Sequence, residues 1–226
     1  MSWIWVALVG AVVYLDTTAI AQLMICQPLI ACPLWGIIAG RPEIGLFFGI
    51  TFQLIWLGSL PVGASKFPEG NVGALIAAAL AIRFTPDPIS GFPWLILLAA
   101  ALIGIAAAYA GSEVTALIRK SLARVSDRLI AAAEAGRSAR FNLLFFGAIG
   151  VHALAGFLLT AIFYFTGSLL LARVPQEPFF DSLSGLWPAL LGAGAAVIAL
   201  RFLRKTNLVW FLIALVLSIG GGFLWL

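Results

Sequence analysis

Apolar runs dominate this chain, and their lengths are more telling than their periodicity. Segments 3–25, 93–110, 186–201 and 208–226 are each long enough, or nearly so, to cross about 30 Å of hydrocarbon, which takes a helix of about 20 residues. Segment 142–172 exceeds one untilted span. Its Gly147, Gly150 and Gly156 would permit a break or a close helix contact, so one long or interrupted element is predicted there. Between 28 and 83 the runs are short, cut by Pro28, Pro33, Gly40, Pro42, Gly58, Pro61, Gly63, Pro68 and Gly70. Non-helical backbone at membrane depth is tolerated only where protein buries it or water lines it, so such broken segments point to a transport site. Two re-entrant or half-spanning hairpins are predicted in this N-terminal third.

Residues 112–140 change character. Val114, Ile118, Leu122, Val125 and Leu129 recur every three or four positions and fall on one face of a helix, among Arg119, Lys120, Arg124, Arg128, Arg137 and Arg140. An amphipathic cytoplasmic helix is predicted, lying along the membrane or against the bundle. A solvated connector and a docking surface for a cytosolic partner, carried by Arg119, Lys120, Arg124 and Arg128, both suit it.

Composition turns these runs into a class. Of 226 residues, 63% are hydrophobic and 10% charged, against about 25% charged in soluble domains. The expectation is an all-α integral membrane protein, a multi-span bundle forming a single membrane domain over 1–226 with 112–140 as a cytoplasmic segment within it. The formal charge of +4 reports topology before it reports a basic ligand, so nucleic acid is not an expected partner. With 112–140 inside, 84–92 and 173–184 fall outside, Arg201, Arg204 and Lys205 inside, and the C-terminus outside. Segment 3–13 lacks a basic leader and a small-residue cleavage site and is expected to begin the first helix.

Catalytic chemistry has no foothold in the pattern. His152 is the one histidine, it lies in an apolar run, and a satisfied core histidine is expected. Cys26 and Cys32 have no companion ligands for zinc and are expected to be free core thiols. No metal, cofactor or phosphate-cradling loop is indicated. What stands out is polar residues stranded in apolar sequence: Asp16, Gln22, Gln27, Gln53, Asn71, and Lys66 with Glu69 flanking Phe67 and Pro68. Ionisable groups at membrane depth cost several kcal/mol, about 3 on insertion scales, unless paired or hydrated. Asp16 could cap the amides of Thr17 and Thr18, pair with a cation, or serve a ligand. Planar amides and carboxylates chelate vicinal hydroxyls and an aromatic face takes a sugar ring. Gln22, Gln27, Gln53 and Trp56 have that chemistry, although glutamines also join membrane helices to one another.

The run Gln27-Pro-Leu-Ile-Ala-Cys-Pro-Leu-Trp-Gly-Ile-Ile-Ala-Gly40, then Gly45-Leu-Phe-Phe-Gly49 and Gln53-Leu-Ile-Trp-Leu-Gly58, resembles the IIC signature of the mannose–fructose–sorbose phosphotransferase permeases. Leu60-Pro-Val-Gly-Ala64, Pro68-Glu69 and Leu15-Asp16-Thr17 extend the likeness over roughly residues 10–80. The resemblance implies a subunit without catalytic residues of its own, in the bacterial plasma membrane. It would bind an external hexose or amino sugar and present it inward for phosphorylation by a cytosolic IIB subunit. Its implied companions are a IID membrane subunit, with IIA and HPr upstream. Close glycine contacts such as Gly45 to Gly49 permit helix association, so assembly with a partner or with copies of the chain, as an oligomer, is expected. By position it implies that Asp16, Gln22, Gln27, Gln53 and the Lys66–Glu69 turn line the sugar pocket. Gln27 stands where the pattern has Arg, Gln53 where it has Glu, and Arg41 where it has an acid, so either an amide–amide contact replaces an ion pair or the substrate is different. A non-phosphorylating sugar transporter or a regulatory membrane subunit would share these features.

Overall fold

The computed structural model describes residues 2–20, 22–57, 66–85 and 94–174. These residues form six helices and no strand: α1 Trp3–Thr18, α2 Pro28–Ile38, α3 Pro42–Trp56, α4 Gly70–Phe84, α5 Trp94–Glu134 and α6 Ser138–Leu171. The predicted spans 186–201 and 208–226, and the charges Arg201, Arg204 and Lys205, lie outside the described residues.

Proline sets the short helices. Pro28 and Pro42 each occupy a first helical turn, where the missing N–H costs nothing. Between them Gly40 takes a φ of +75°, which turns α2 into α3 as an antiparallel hairpin. At 1.5 Å per residue α2 and α3 are about 17 and 23 Å long, short of a full bilayer crossing. This is one of the predicted half-spanning hairpins. Residues 58–65, which would shape a second, lie outside the described residues. Gly45 lies directly against the Cys32 carbonyl, and a Cβ on Gly49 would stand 2.8 Å from the Pro28 carbonyl oxygen. The Gly45–Gly49 pair, expected to serve association between helices, is thus used up inside the hairpin.

The centre of the bundle is α4. Its residues from Val72 to Ala81 are all buried, and most are alanine or glycine. A helix apolar on every side is at home only when surrounded, and small side chains let its neighbours approach closely. Phe48 and Phe52 of α3 stack beside it, and Leu97, Ala100 and Ala101 of α5 complete the core.

Two expectations are corrected in detail. The apolar run 3–25 is not one span: α1 stops at Thr18, and the backbone of Gln22 and Met24 adopts φ of +50° and +63°. The stretch 112–134 is helical but is the continuation of α5 rather than a helix of its own, so 94–134 is one rod of 41 residues. It turns at Gly136, φ +64°, directly into α6. Segment 138–171 is one long helix despite its glycines, and Gly156 makes a close contact with Tyr14 of α1. Among the described residues α5 and α6 are the helices long and apolar enough to cross a membrane.

Candidate functional site

Four helix ends converge on one polar cavity of about 640 Å³. They are the C-terminal ends of α1 and α3 and the N-terminal ends of α2 and α4. The volume lies within the range of ligand pockets, roughly 300–1,000 Å³. Asp16, Gln22, Gln27, Gln53, Trp56 and Glu69 all line it, together with Thr17, Cys26, Phe67 and Asn71. Of the predicted pocket residues only Lys66 is absent from the lining.

Asp16 explains the break after α1. Its Oδ1 accepts the Leu23 N–H at 2.7 Å and its Oδ2 the Cys26 N–H at 2.9 Å. The carboxylate therefore caps neither Thr17 nor Thr18. It folds back a loop seven to ten residues further on, offering the backbone an alternative to helix and stabilising the left-handed residues Gln22 and Met24. Thr17 adds a hydroxyl bond to the Val13 carbonyl at 2.8 Å and accepts from Asn71 Nδ2 at 3.3 Å, which ties α1 to α4.

Gln27 and Gln53 meet across the hairpin. Gln53 Nε2 donates to Gln27 Oε1 at 3.1 Å, and Gln53 Oε1 accepts the Leu29 N–H at 3.3 Å. The amide–amide contact expected in place of an ion pair is present, and through it the end of α3 caps the first turn of α2.

Residues 66–69 run along α5. Lys66 is exposed and pairs with Glu113, not with Glu69. Phe67 lies under the Arg119 guanidinium, 5.4 Å from ring centroid to cation. Glu69 is buried; its N–H donates to the Ala108 carbonyl at 2.9 Å and its Oε1 accepts from Thr115 Oγ1 at 2.6 Å. A Cβ on Gly111 would come within 2.7 Å of Glu69 Cβ, so the glycine is what admits the side chain. Glu69 Oε2 and Trp56 Nε1 are enclosed and have no hydrogen-bond partner among the described residues. Such atoms need a partner from elsewhere, water or ligand, because an unsatisfied buried group costs about 1–3 kcal/mol.

Tyr14 and Thr115, missed in the sequence, complete the Glu69 environment: Tyr14 Oη lies 2.6 Å from Thr115 Oγ1. Tyr14 sits in an apolar run and Thr115 in the amphipathic stretch, so neither pattern separates them from core or surface residues. His152 is satisfied, with Nδ1 3.0 Å from the Ala148 carbonyl, and Cys26 and Cys32 are free and buried. Lys120, Arg124 and Arg128 are exposed on the far part of α5, whereas Arg119 is partly covered.

Broken short helices ending at a cavity lined by polar side chains, flanked by two long apolar helices, are the arrangement of an all-α integral membrane protein. A family model described as the sorbose-specific IIC component of a phosphotransferase system matches residues 1–223, and the chain belongs to that family. The sorbose-specific EIIC component of Lacticaseibacillus casei is 30% identical over 152 residues, 67% of this chain and 50% of its own length. That of Klebsiella pneumoniae is 32% identical over 128 residues, 57% of this chain and 45% of its own. The mannose-specific EIIC component of Escherichia coli K12 is 36% identical over 75 residues, 33% of this chain and 28% of its own. This chain thus spans about half the length, or less, of these relatives. A solved structure described as a membrane protein superposes with a TM-score of 0.75 at 19% identity, covering 96% of this chain and 85% of that one. A chain of the mannose transporter ManYZ in complex with microcin E492 gives 0.59 at 20% identity, with the same coverages. At these identities the likeness is one of fold.

Proposed function

We propose that this chain is the sugar-translocating IIC subunit of a phosphoenolpyruvate-dependent phosphotransferase system, binding an external hexose or amino sugar and presenting it inward for phosphorylation by a IIB subunit. One observation carries the sugar: of the residues lining one cavity, Glu69 has an enclosed carboxylate oxygen, Oε2, that can only accept, and Trp56 an enclosed indole nitrogen, Nε1, that can only donate, both without partners among the described residues. A hydroxyl both donates and accepts. A polyol therefore meets both needs with one kind of group, and the Trp56 and Phe67 rings supply apolar surface for its C–H face. Asp16, Gln27 and Gln53 serve this pocket mainly by building it, since both Asp16 oxygens, both polar atoms of the Gln53 amide and Gln27 Oε1 are engaged with the protein.

The likeness to sorbose- and mannose-specific components supports the companions. A IID subunit covers part of the apolar surface, IIB docks on the exposed cations of α5, and IIA and HPr feed it phosphate. Charge asymmetry supports an orientation with the α5–α6 turn in the cytoplasm and the C-terminus outside a bacterial plasma membrane.

The test is uptake of radiolabelled hexoses and hexosamines by cells expressing this chain with its IID and IIB companions, with and without HPr, followed by chromatography of the internal label. Sugar phosphate only when HPr and this chain are both present is the expected result. Free sugar inside would assign a facilitator instead, and no uptake of any sugar would overturn the transport role.

A further inference from the structure

We propose that Tyr14 and Thr115 are positioning residues for Glu69: a directed hydrogen-bond relay from α1 through α5 that commits one carboxylate oxygen to the protein and keeps the other as the acceptor for substrate. The inference rests on the sugar role given to the cavity. Thr115 Oγ1 lies 2.6 Å from Glu69 Oε1 and 2.6 Å from Tyr14 Oη. A threonine hydroxyl has one proton and two acceptor lone pairs. With Thr115 donating to Glu69, its oxygen is left to accept, so Tyr14 is the donor at the head of the chain. The order is Tyr14 to Thr115 to Glu69, and each link is buried.

The relay fixes what the surrounding packing leaves open. Gly111 lies under Cβ and Cγ of Glu69, and the Ala108 carbonyl anchors its backbone. These contacts place the stem of the side chain, whereas the carboxylate plane can still rotate about its last torsion, which is broad and roughly two-fold. The Thr115 bond is the contact that selects one orientation. It draws Oε1 towards α5 and leaves Oε2 without a partner among the described residues. A chain of oriented hydroxyls in a low-dielectric interior strengthens each bond, so Tyr14 acts on Glu69 through Thr115 although it does not line the cavity. None of the three is adjacent in sequence, and each comes from a different segment: α1, the residue before α4, and α5.

The experiment compares the full chain, reconstituted in lipid nanodiscs, as wild type, Thr115→Ser, Thr115→Val, Tyr14→Phe and Glu69→Gln, and as Thr115→Val in the Glu69→Gln background. Sugar affinity is measured calorimetrically, and the Glu69 carboxylate stretch is assigned by infrared difference against Glu69→Gln. Thr115→Val is nearly isosteric but cannot donate; it should weaken binding about tenfold and shift the Glu69 band. Thr115→Ser should stay within about twofold of wild type with the band in place, and Tyr14→Phe should fall between them. In the Glu69→Gln background Thr115→Val should add no more than about twofold. Equal losses in Thr115→Ser and Thr115→Val, or a full loss in the Glu69→Gln background, would overturn the relay and assign Thr115 to packing. If wild type binds none of the sugars, the proposed function fails. The relay is then judged on the band alone: a shift in Thr115→Val but not in Thr115→Ser upholds it, and an unmoved band overturns it.

Discussion

At the scale of single residues, the site is a division between polar groups that build the pocket and polar groups left over. Asp16 is of the first kind. Replacing it by Asn keeps one oxygen for the Leu23 N–H but turns an amide NH2 towards the Cys26 N–H. Hydrogen bonds to a charged acceptor contribute about 1.5–3 kcal/mol. Asp16→Asn should therefore cost about that much stability, read as a fall in melting temperature in detergent, with loss of sugar binding because the 22–26 loop forms one wall. The Gln27–Gln53 contact makes a sharper test. Gln27→Arg or Gln53→Glu alone introduces an uncompensated, partly buried charge, whereas both together can form a pair at the same place. Each single variant should melt several degrees lower and the double variant should recover most of that loss, a coupling of about 1–2 kcal/mol. Additive losses would show that the two side chains do not act as a unit. These amides were legible in the sequence because amides stranded in apolar runs have few uses. Lys66 misled because it stands three residues from Glu69, while its partner Glu113 comes from a distant helix. Tyr14 and Thr115 were illegible because hydroxyls hide equally well in cores and on surfaces.

Among the elements, contrast in length is what makes the cavity. Four short helices end at it, and two long ones pass it by. Proline at the first turns of α2 and α3, with glycine between them, announced the short hairpin, since both residues act locally. The end of α1 carried no such mark. Its cause is a side chain reaching seven and ten residues ahead, which no window of apolar residues reveals. The continuity of α5 was hidden for the opposite reason. Polarity changes abruptly near Glu113, yet no proline interrupts the backbone and Gly104 and Gly111 stay helical, so one helix carries an apolar and then a charged half. That charged half is the proposed seat for IIB. Replacing Lys120, Arg124 and Arg128 together by alanine leaves the cavity untouched, because all three are exposed and outside its lining. Sugar affinity should stay as in wild type while formation of sugar phosphate slows about tenfold, the scale of electrostatic steering, and the deficit should shrink as salt is raised. A parallel fall in affinity would mean that the charges support the fold rather than the partner.

For the whole molecule, the question is where the cavity stands in the membrane. Glu69 bonds to Ala108, which at 1.5 Å per residue lies about 21 Å along α5 from Trp94 and about 39 Å from Glu134. A hydrocarbon slab of about 30 Å that begins at Trp94 therefore ends near Glu113 to Thr115, beside the cavity, and the rest of α5 projects into water. The positive-inside rule predicts that this projection, rich in Arg and Lys, is cytoplasmic, and in the proposed orientation the cavity sits at the inner side of the bilayer, within reach of a phosphorylating partner. Labelling decides the orientation. Ser138 is exposed at the start of α6, next to the turn, while the native Cys26 and Cys32 are buried and should give little background. A Ser138→Cys variant should react with a membrane-impermeant maleimide in inside-out vesicles and stay unlabelled in intact cells. Labelling from the outside of intact cells would invert the molecule, put the cavity at the outer face, and remove the geometric basis for inward presentation of the sugar.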